Sequence, residues 1–225
     1  MIKTLLHEIK NFDDFVSTCN HFDIEINNNQ LNLFKKYYEI LLEWNEKINL
    51  ISRRNNIILE KHFLDSILFL PEIQNLVHDS HISLLDIGSG GGFPAIPLAI
   101  MNPSWQFVLC ESTKKKANFL THLVKELDLE KNVKVVNARV ETIQKTRNQK
   151  FDLITARAIS KLDVLIKYAL PLLKKNGSLL AYKAKNIDDE IKSTENLIKK
   201  NNLKLTVFSK GINEVERKLI VLTHF

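Results

Sequence analysis

Along the first third of the chain the apolar positions fall three and four residues apart. Leu31, Phe34, Tyr38, Leu41, Leu42 and Ile48 form one stripe, and Ile58, His62, Leu64, Ile67 and Leu68 form a second that Pro71 ends. This is the spacing of amphipathic helices, so the chain up to residue 78 reads as helical. From Ile82 onward the pattern changes to short β-branched apolar runs alternating with charged stretches. The runs at 82–87, 106–111, 133–137, 151–157, 178–183, 203–209 and 218–223 predict strands, and residues 114–127, 162–173 and 187–200 predict helices between them. Such alternation predicts βαβ units and a parallel sheet. Only a loop holding Gly211 separates the last two strands, which predicts a hairpin and one antiparallel strand. The expected architecture is therefore α/β: a Rossmann-like, mostly parallel seven-stranded sheet with one antiparallel strand over residues 81–225, preceded by a helical segment over residues 1–80.

Glycine clusters where helices give way to strands. Four of the six glycines, Gly88, Gly90, Gly91 and Gly92, fall within five positions. They follow the apolar run Leu84-Leu85-Asp86-Ile87 and precede Pro94, a residue favoured in the first turn of a helix. Strand, glycine turn and helix start in that order make a nucleotide-binding loop, because glycine lets main chain come close to a ligand. The dinucleotide fingerprint needs G-x-G-x-x-G, with its last glycine at the helix that faces pyrophosphate. Here the spacing is G-x-G-x-G, and Phe93 stands in the third dinucleotide position. S-adenosylmethionine (SAM) has no phosphate to cradle, so this loop suits an adenosyl group joined to methionine. Glu111 closes the next strand nineteen residues after Gly92, where a carboxylate accepts hydrogen bonds from ribose hydroxyls. Asp86 is placed to orient the loop or to meet the methionine ammonium.

Charge sharpens the picture of the partner. The net charge is +6, yet residues 1–80 carry 8 Lys/Arg against 12 Asp/Glu, while the remainder carries 24 against 14. The basic excess belongs to the SAM-binding part, which favours a polyanion such as RNA. Arg53, Arg54, Lys183 and Lys185, with Lys114, Lys115 and Lys116, are candidates for phosphate contact. Cys19 and Cys110 lie in unrelated segments, so neither a disulfide framework nor a thiolate metal site is expected, and a reducing cytoplasm fits. No apolar stretch approaches the roughly 18 residues of a membrane span. His78 and His81 lack a third ligand at convincing spacing, so no metal is expected. Phe34, Tyr37, Tyr38 and Trp44 recur at helical spacing and read as core, with Tyr37 as the one candidate for stacking on a base.

The segment from Leu84 to Leu98, with Phe93-Pro94-Ala95-Ile96-Pro97-Leu98 after the glycines, resembles the RsmG (GidB) family of bacterial small-subunit rRNA guanine-N7 methyltransferases. Further matches follow in order: Trp44-Asn45, Asn49-Leu50, His62-Phe63-Leu64-Asp65-Ser66, Glu111-Ser112, Ala138-Arg139-Val140-Glu141, Ala156-Arg157-Ala158 and Ala181-Tyr182-Lys183. The resemblance implies methylation of N7 of one guanine in the decoding-region loop of small-subunit rRNA, on naked rRNA or the ribosomal subunit, by a monomer. It implies SAM contacts at Gly88, Phe93, Val140, Glu141 and Arg157, joining Gly90 and Glu111 of the loop reading. Two positions depart from the family's habit, which more often has proline at Gly91 and aspartate at Glu111.

The residues themselves fit chemistry by positioning. Guanine N7 has a lone pair and no proton, so no general base or nucleophile is needed, and none is expected beyond Arg157 at the end of its strand. Two other readings remain open on sequence alone. One is a SAM-dependent methyltransferase for a small molecule or a protein, and the other is a non-catalytic RNA-binding assembly factor.

Overall fold

A computed structural model describes residues 4–5, 8–52, 57–77, 79–146, 149–157, 160–183, 187–213 and 215–225. The chain opens with a two-residue strand, β1 (Thr4–Leu5), then α1 (Phe12–His21) and α2 (Asn28–Lys47). Asn11 caps α1 by accepting from the Asp13 and Asp14 N–H groups, and Asn27 and Gln30 form a reciprocal capping box on α2. A π-helical segment, Leu59–Leu64, runs into α3 (Asp65–Ile67) and α4 (Leu70–Gln74). The alternating part then follows as β2 (Ser83–Ile87), α5 (Ala95–Met101), β3 (Gln106–Glu111), α6 (Lys114–Glu126), β4 (Val133–Asn137), α7 (Val140–Thr146), β5 (Phe151–Arg157) and α8 (Leu162–Ala169). It ends with β6 (Leu173–Lys183), α9 (Asp188–Lys200), β7 (Leu203–Ile212) and β8 (Val215–His224).

The strands form one sheet in the order β1-β7-β8-β6-β5-β2-β3-β4. Every described pairing is parallel except those of β8, which runs antiparallel to both β6 and β7. Adjacent residues of the central strands enter opposite cores, as a pleat with both faces covered requires. Leu84, Leu109, Leu153 and Leu180 face the core shared with α1, α2, α5, α6 and the π-helical segment, whereas Leu85, Val108, Ile154 and Leu179 face the core under α8 and α9. Phe15, Phe34, Tyr37 and Phe63 of the N-terminal helices therefore bury in the same cluster as Phe93 and Leu120. From β2 the chain runs outward to β3 and β4, then returns to the other side of β2 with β5. That reversal opens a crevice at the carboxyl ends of β2 and β5, where open α/β sheets bind ligands.

Three sequence expectations need correction. The sheet has eight strands, because Thr4 and Leu5 pair with Gly211 and Ile212, and a two-residue strand leaves no periodicity to read. The helix expected over 162–173 ends at Ala169, since Pro171 has no N–H for a helical bond, and Leu173 already begins β6. Gly211 lies inside β7 with Thr4 packed where a Cβ would project, and the bend comes at Asn213, whose φ is +48°.

Candidate cofactor cleft

The carboxyl ends of β2 and β3 carry the glycine turn. Gly88, Gly90 and Gly92 have φ of +68°, +54° and +93°, so the main chain curls through a region that L side chains resist. The Gly88 N–H donates to the Cys110 carbonyl at 2.8 Å, tying the turn to β3. Glu111 then locks it. Oε2 accepts from the Gly90 N–H at 2.9 Å and Oε1 from the Thr113 N–H at 2.7 Å, while the Asn137 amide donates to the Glu111 carbonyl at 2.8 Å. Each carboxylate oxygen keeps a further lone pair, so the group can hold the loop and still accept from a hydroxyl.

Asp86, at the end of β2, is 1% exposed. Its Oδ1 accepts from the Thr155 hydroxyl at 2.7 Å, but Oδ2 is buried without a hydrogen-bond partner. Burial pushes the carboxyl up to about 7, against the opposing pull of the hydroxyls and Arg157. A buried carboxylate oxygen with no donor marks a place where an outside donor is accommodated.

On the β4 side of the turn a cavity of about 190 Å³ is lined by Gly88, Ser112, Ala138, Val140, Glu141 and Tyr168 among others. Val140 and Glu141 open α7 at its edge, and the Tyr168 hydroxyl donates to Glu141 at 3.0 Å. The backbone N–H of Glu141 and this hydroxyl hold its carboxyl below the ordinary range.

On the β5 side lie Phe93 and Arg157. Phe93 is 5% exposed and sits in an aromatic stack, with the Tyr37 ring 5.1 Å away at 22° and the His62 ring 5.1 Å away. The Arg157 guanidinium lies 5.1 Å from the Phe93 ring centre. Its Nη1 donates to the Lys61 carbonyl at 3.1 Å, and its Nη2 is 2.9 Å from His62 Nδ1. Burial, then the charges of Arg157 and Lys61, depress His62 to about 3, so the imidazole is neutral and accepts this bond. Arg157 also lines a cavity of about 470 Å³ with Lys61, Asp65, Tyr182, Lys183 and Arg217. A larger cavity, about 810 Å³, lies between the α1–α2 turn and α4, and none of its lining residues belongs to the glycine turn or to Arg157's surroundings.

The structure thus sets Gly88, Val140 and Glu141 around one cavity, with Glu111 bonded to the Gly90 N–H, whereas Arg157 stacks on Phe93 and lines a separate cavity. Tyr37 is fully buried and its hydroxyl donates to the Gly91 carbonyl at 2.5 Å, so it supports the loop and cannot stack on a base. Helical spacing could not separate those roles. Lys183 is half-buried and paired with Glu190 at 2.8 Å. Arg53, Arg54, Lys185 and His78 lie outside the described residues. Lys114 and Lys115 are exposed in the first turn of α6. His62 and Thr155 had no role assigned from sequence; each binds a group in a distant segment, and no local pattern announces such a bond.

The model of the family "rRNA small subunit methyltransferase G" matches residues 30–220. The ribosomal RNA small subunit methyltransferase G of Lactococcus lactis subsp. lactis (strain IL1403) is 40% identical over 211 residues, covering 92% of this chain and 84% of that protein. Its counterpart from Fusobacterium nucleatum subsp. nucleatum is 41% identical over 208 residues, with 92% and 84% covered. Among solved structures, an O-methyltransferase from Bacillus cereus in complex with SAH superposes with a TM-score of 0.66 at 15% identity, covering 96% of this chain and all of that one. The METTL16 methyltransferase domain gives 0.64 at 15%, covering 96% and 92%. Those two likenesses speak to the fold alone.

Proposed function

The chain belongs to the rRNA small subunit methyltransferase G family, and from that premise we propose that it methylates N7 of one guanine in the decoding-region loop of small-subunit rRNA. The observation that carries the reading is the Glu111 carboxylate bound to the main chain of the glycine turn at the crevice mouth. Bound there, SAM supplies a methyl group on a positively charged sulfur.

The residues fit that cofactor. Gly88 and Gly90 offer main chain without side-chain bulk, and Glu111 keeps lone pairs for the ribose hydroxyls. Val140 and Glu141 border the cavity beside the ribose position and receive the adenine. The unpartnered Oδ2 of Asp86 suits a methionine ammonium. Phe93 carries Arg157, which meets the cofactor or the guanine O6 at the β5 end, as a planar guanidinium can.

Since N7 bears no proton, the chain need only hold the reacting atoms in line, and positioning of this kind supplies about 7–11 kcal/mol. Lys114 and Lys115 favour an RNA substrate. Cations in the first turn of a helix oppose its macrodipole, at roughly 0.3–1 kcal/mol each, a cost that a phosphate backbone offsets. No helix among the described residues is long and apolar enough to cross a membrane. We propose that the protein acts on rRNA or the subunit in the cytoplasm, as a monomer. The test is nucleoside mass spectrometry of small-subunit rRNA from cells with and without the protein. Loss of one 7-methylguanosine supports the reading, and an unchanged 7-methylguanosine content rejects it.

A further inference from the structure

Arg157 is held in an unusual way. It is partly buried, and an arginine withdrawn from water is ordinarily matched with a carboxylate, since an unpaired charge there is costly. Here the guanidinium bonds to a carbonyl and to the neutral ring of His62, with Phe93 beneath it. Asp65, whose field acts on Arg157, is itself bound to Arg217 at 3.1 Å. The arrangement fixes the direction of the guanidinium and leaves its charge uncancelled by a direct ion pair among the described residues. A carboxylate in place of His62 would orient Arg157 equally well and would consume the charge. His62 also stands in a π-helical segment, a rare conformation that recurs at functional sites.

We propose that His62 is a positioning residue for Arg157: its Nδ1 lone pair aims the guanidinium across Phe93 toward the cavity that His62 and Arg157 both line, while sparing the positive charge for a ligand acceptor. The proposal rests on the reading of Arg157 given above. The His62 ring is itself held in the stack with Phe93 and Tyr37 that supports the glycine turn.

A double-mutant cycle separates the two readings. SAM affinity and kcat/KM for rRNA methylation are measured for Arg157→Ala, His62→Leu and the double variant. Arg157→Ala lowers at least one of these quantities; if it lowers neither, the role given to Arg157 fails, and this proposal with it. His62→Leu reduces the same quantity about tenfold to hundredfold, the range for losing one hydrogen bond to a charged group, and adds little in the Arg157→Ala background. Equal loss in both backgrounds, or no loss in either, leaves the role of Arg157 standing and overturns that of His62. Nitrogen-15 NMR of the wild-type imidazole gives a check free of any folding defect in the variants. It should show a neutral ring with Nε2 protonated and Nδ1 bare from pH 8 down to pH 5. A proton on Nδ1, or titration in the ordinary histidine range, overturns the proposal.

Discussion

Substituting alanine at two neighbouring glycines of the turn should give opposite results. At Gly92 the φ of +93° lies where an L side chain costs about 1–2 kcal/mol. A Cβ there would also stand 2.8 Å from the Tyr37 hydroxyl and 2.9 Å from Ile96 Cγ1. Something must shift. If the hydroxyl moves off the Gly91 carbonyl, a buried polar pair is broken, at a further cost of about 1–3 kcal/mol. The expected loss for Gly92→Ala is therefore roughly 2–5 kcal/mol, and the middle of that range lowers Tm by roughly 10 °C for a chain of this size. Gly91 does not have a positive φ, and the nearest atoms to a Cβ there belong to the Phe93 ring and Ile51 at 3.5–3.6 Å, ordinary contact distances. Gly91→Ala should stay within about 1 kcal/mol of wild type, on the stabilising side if the unfolded chain's lost freedom dominates. Urea and thermal unfolding followed by circular dichroism measure both. Equal destabilisation by the two variants, or a Gly92→Ala effect under about 1 kcal/mol, would refute the geometric reasoning.

Three further outcomes test other parts of the account. Glu111→Ala should weaken SAM binding about tenfold or more, because the turn loses its carboxylate anchor as the ligand loses its ribose acceptor; calorimetry showing unchanged affinity would remove Glu111 from the site. Asp86 is raised when folded, from 3.8 to about 7, so the folded state holds its proton more tightly and the group's contribution to stability falls as pH climbs through that window. Asp86→Asn should thus gain on wild type by on the order of 4 kcal/mol between pH 4 and pH 7.5, and denaturant curves showing no pH-dependent gap would contradict the burial argument. Arg217 joins Glu60 and Asp65 and donates to the Ile212 and Val215 carbonyls, binding the π-helical segment and α3 to the β7–β8 hairpin. Arg217→Met leaves two partly buried carboxylates without their cation, though Glu60 keeps a bond from the Asn213 amide, for an expected loss of about 3 kcal/mol in unfolding free energy, with a loss under about 1 kcal/mol as the contrary result.

Much of this site is legible in the sequence because its parts are local. The turn announces itself through four clustered glycines, and Glu111 through its distance from them at the end of an apolar strand, which both faces of a covered sheet make continuous. The bounds of β3, β4 and β5 follow from the same runs. What the sequence hides is non-local or contrary to local habit. Arg157 and His62 stand 95 positions apart, so nothing short of the fold reveals their bond. β6 begins at Leu173, opposite Phe151, but Lys174, Lys175, Asn176 and Gly177 bulge out before the pairing with β5 resumes at Ser178, so the early pair leaves no pattern to read. Tyr37 shares the spacing of any core aromatic, and only its contact with the Gly91 carbonyl distinguishes it.

The claim on which the rest depends is that the glycine turn and Glu111 seat SAM at the carboxyl edge of β2 and β3. Isothermal titration of the purified, folded protein with SAM and with its demethylated product measures this directly. The account predicts saturable binding of each at one site per chain, and a folded protein that binds neither would contradict it.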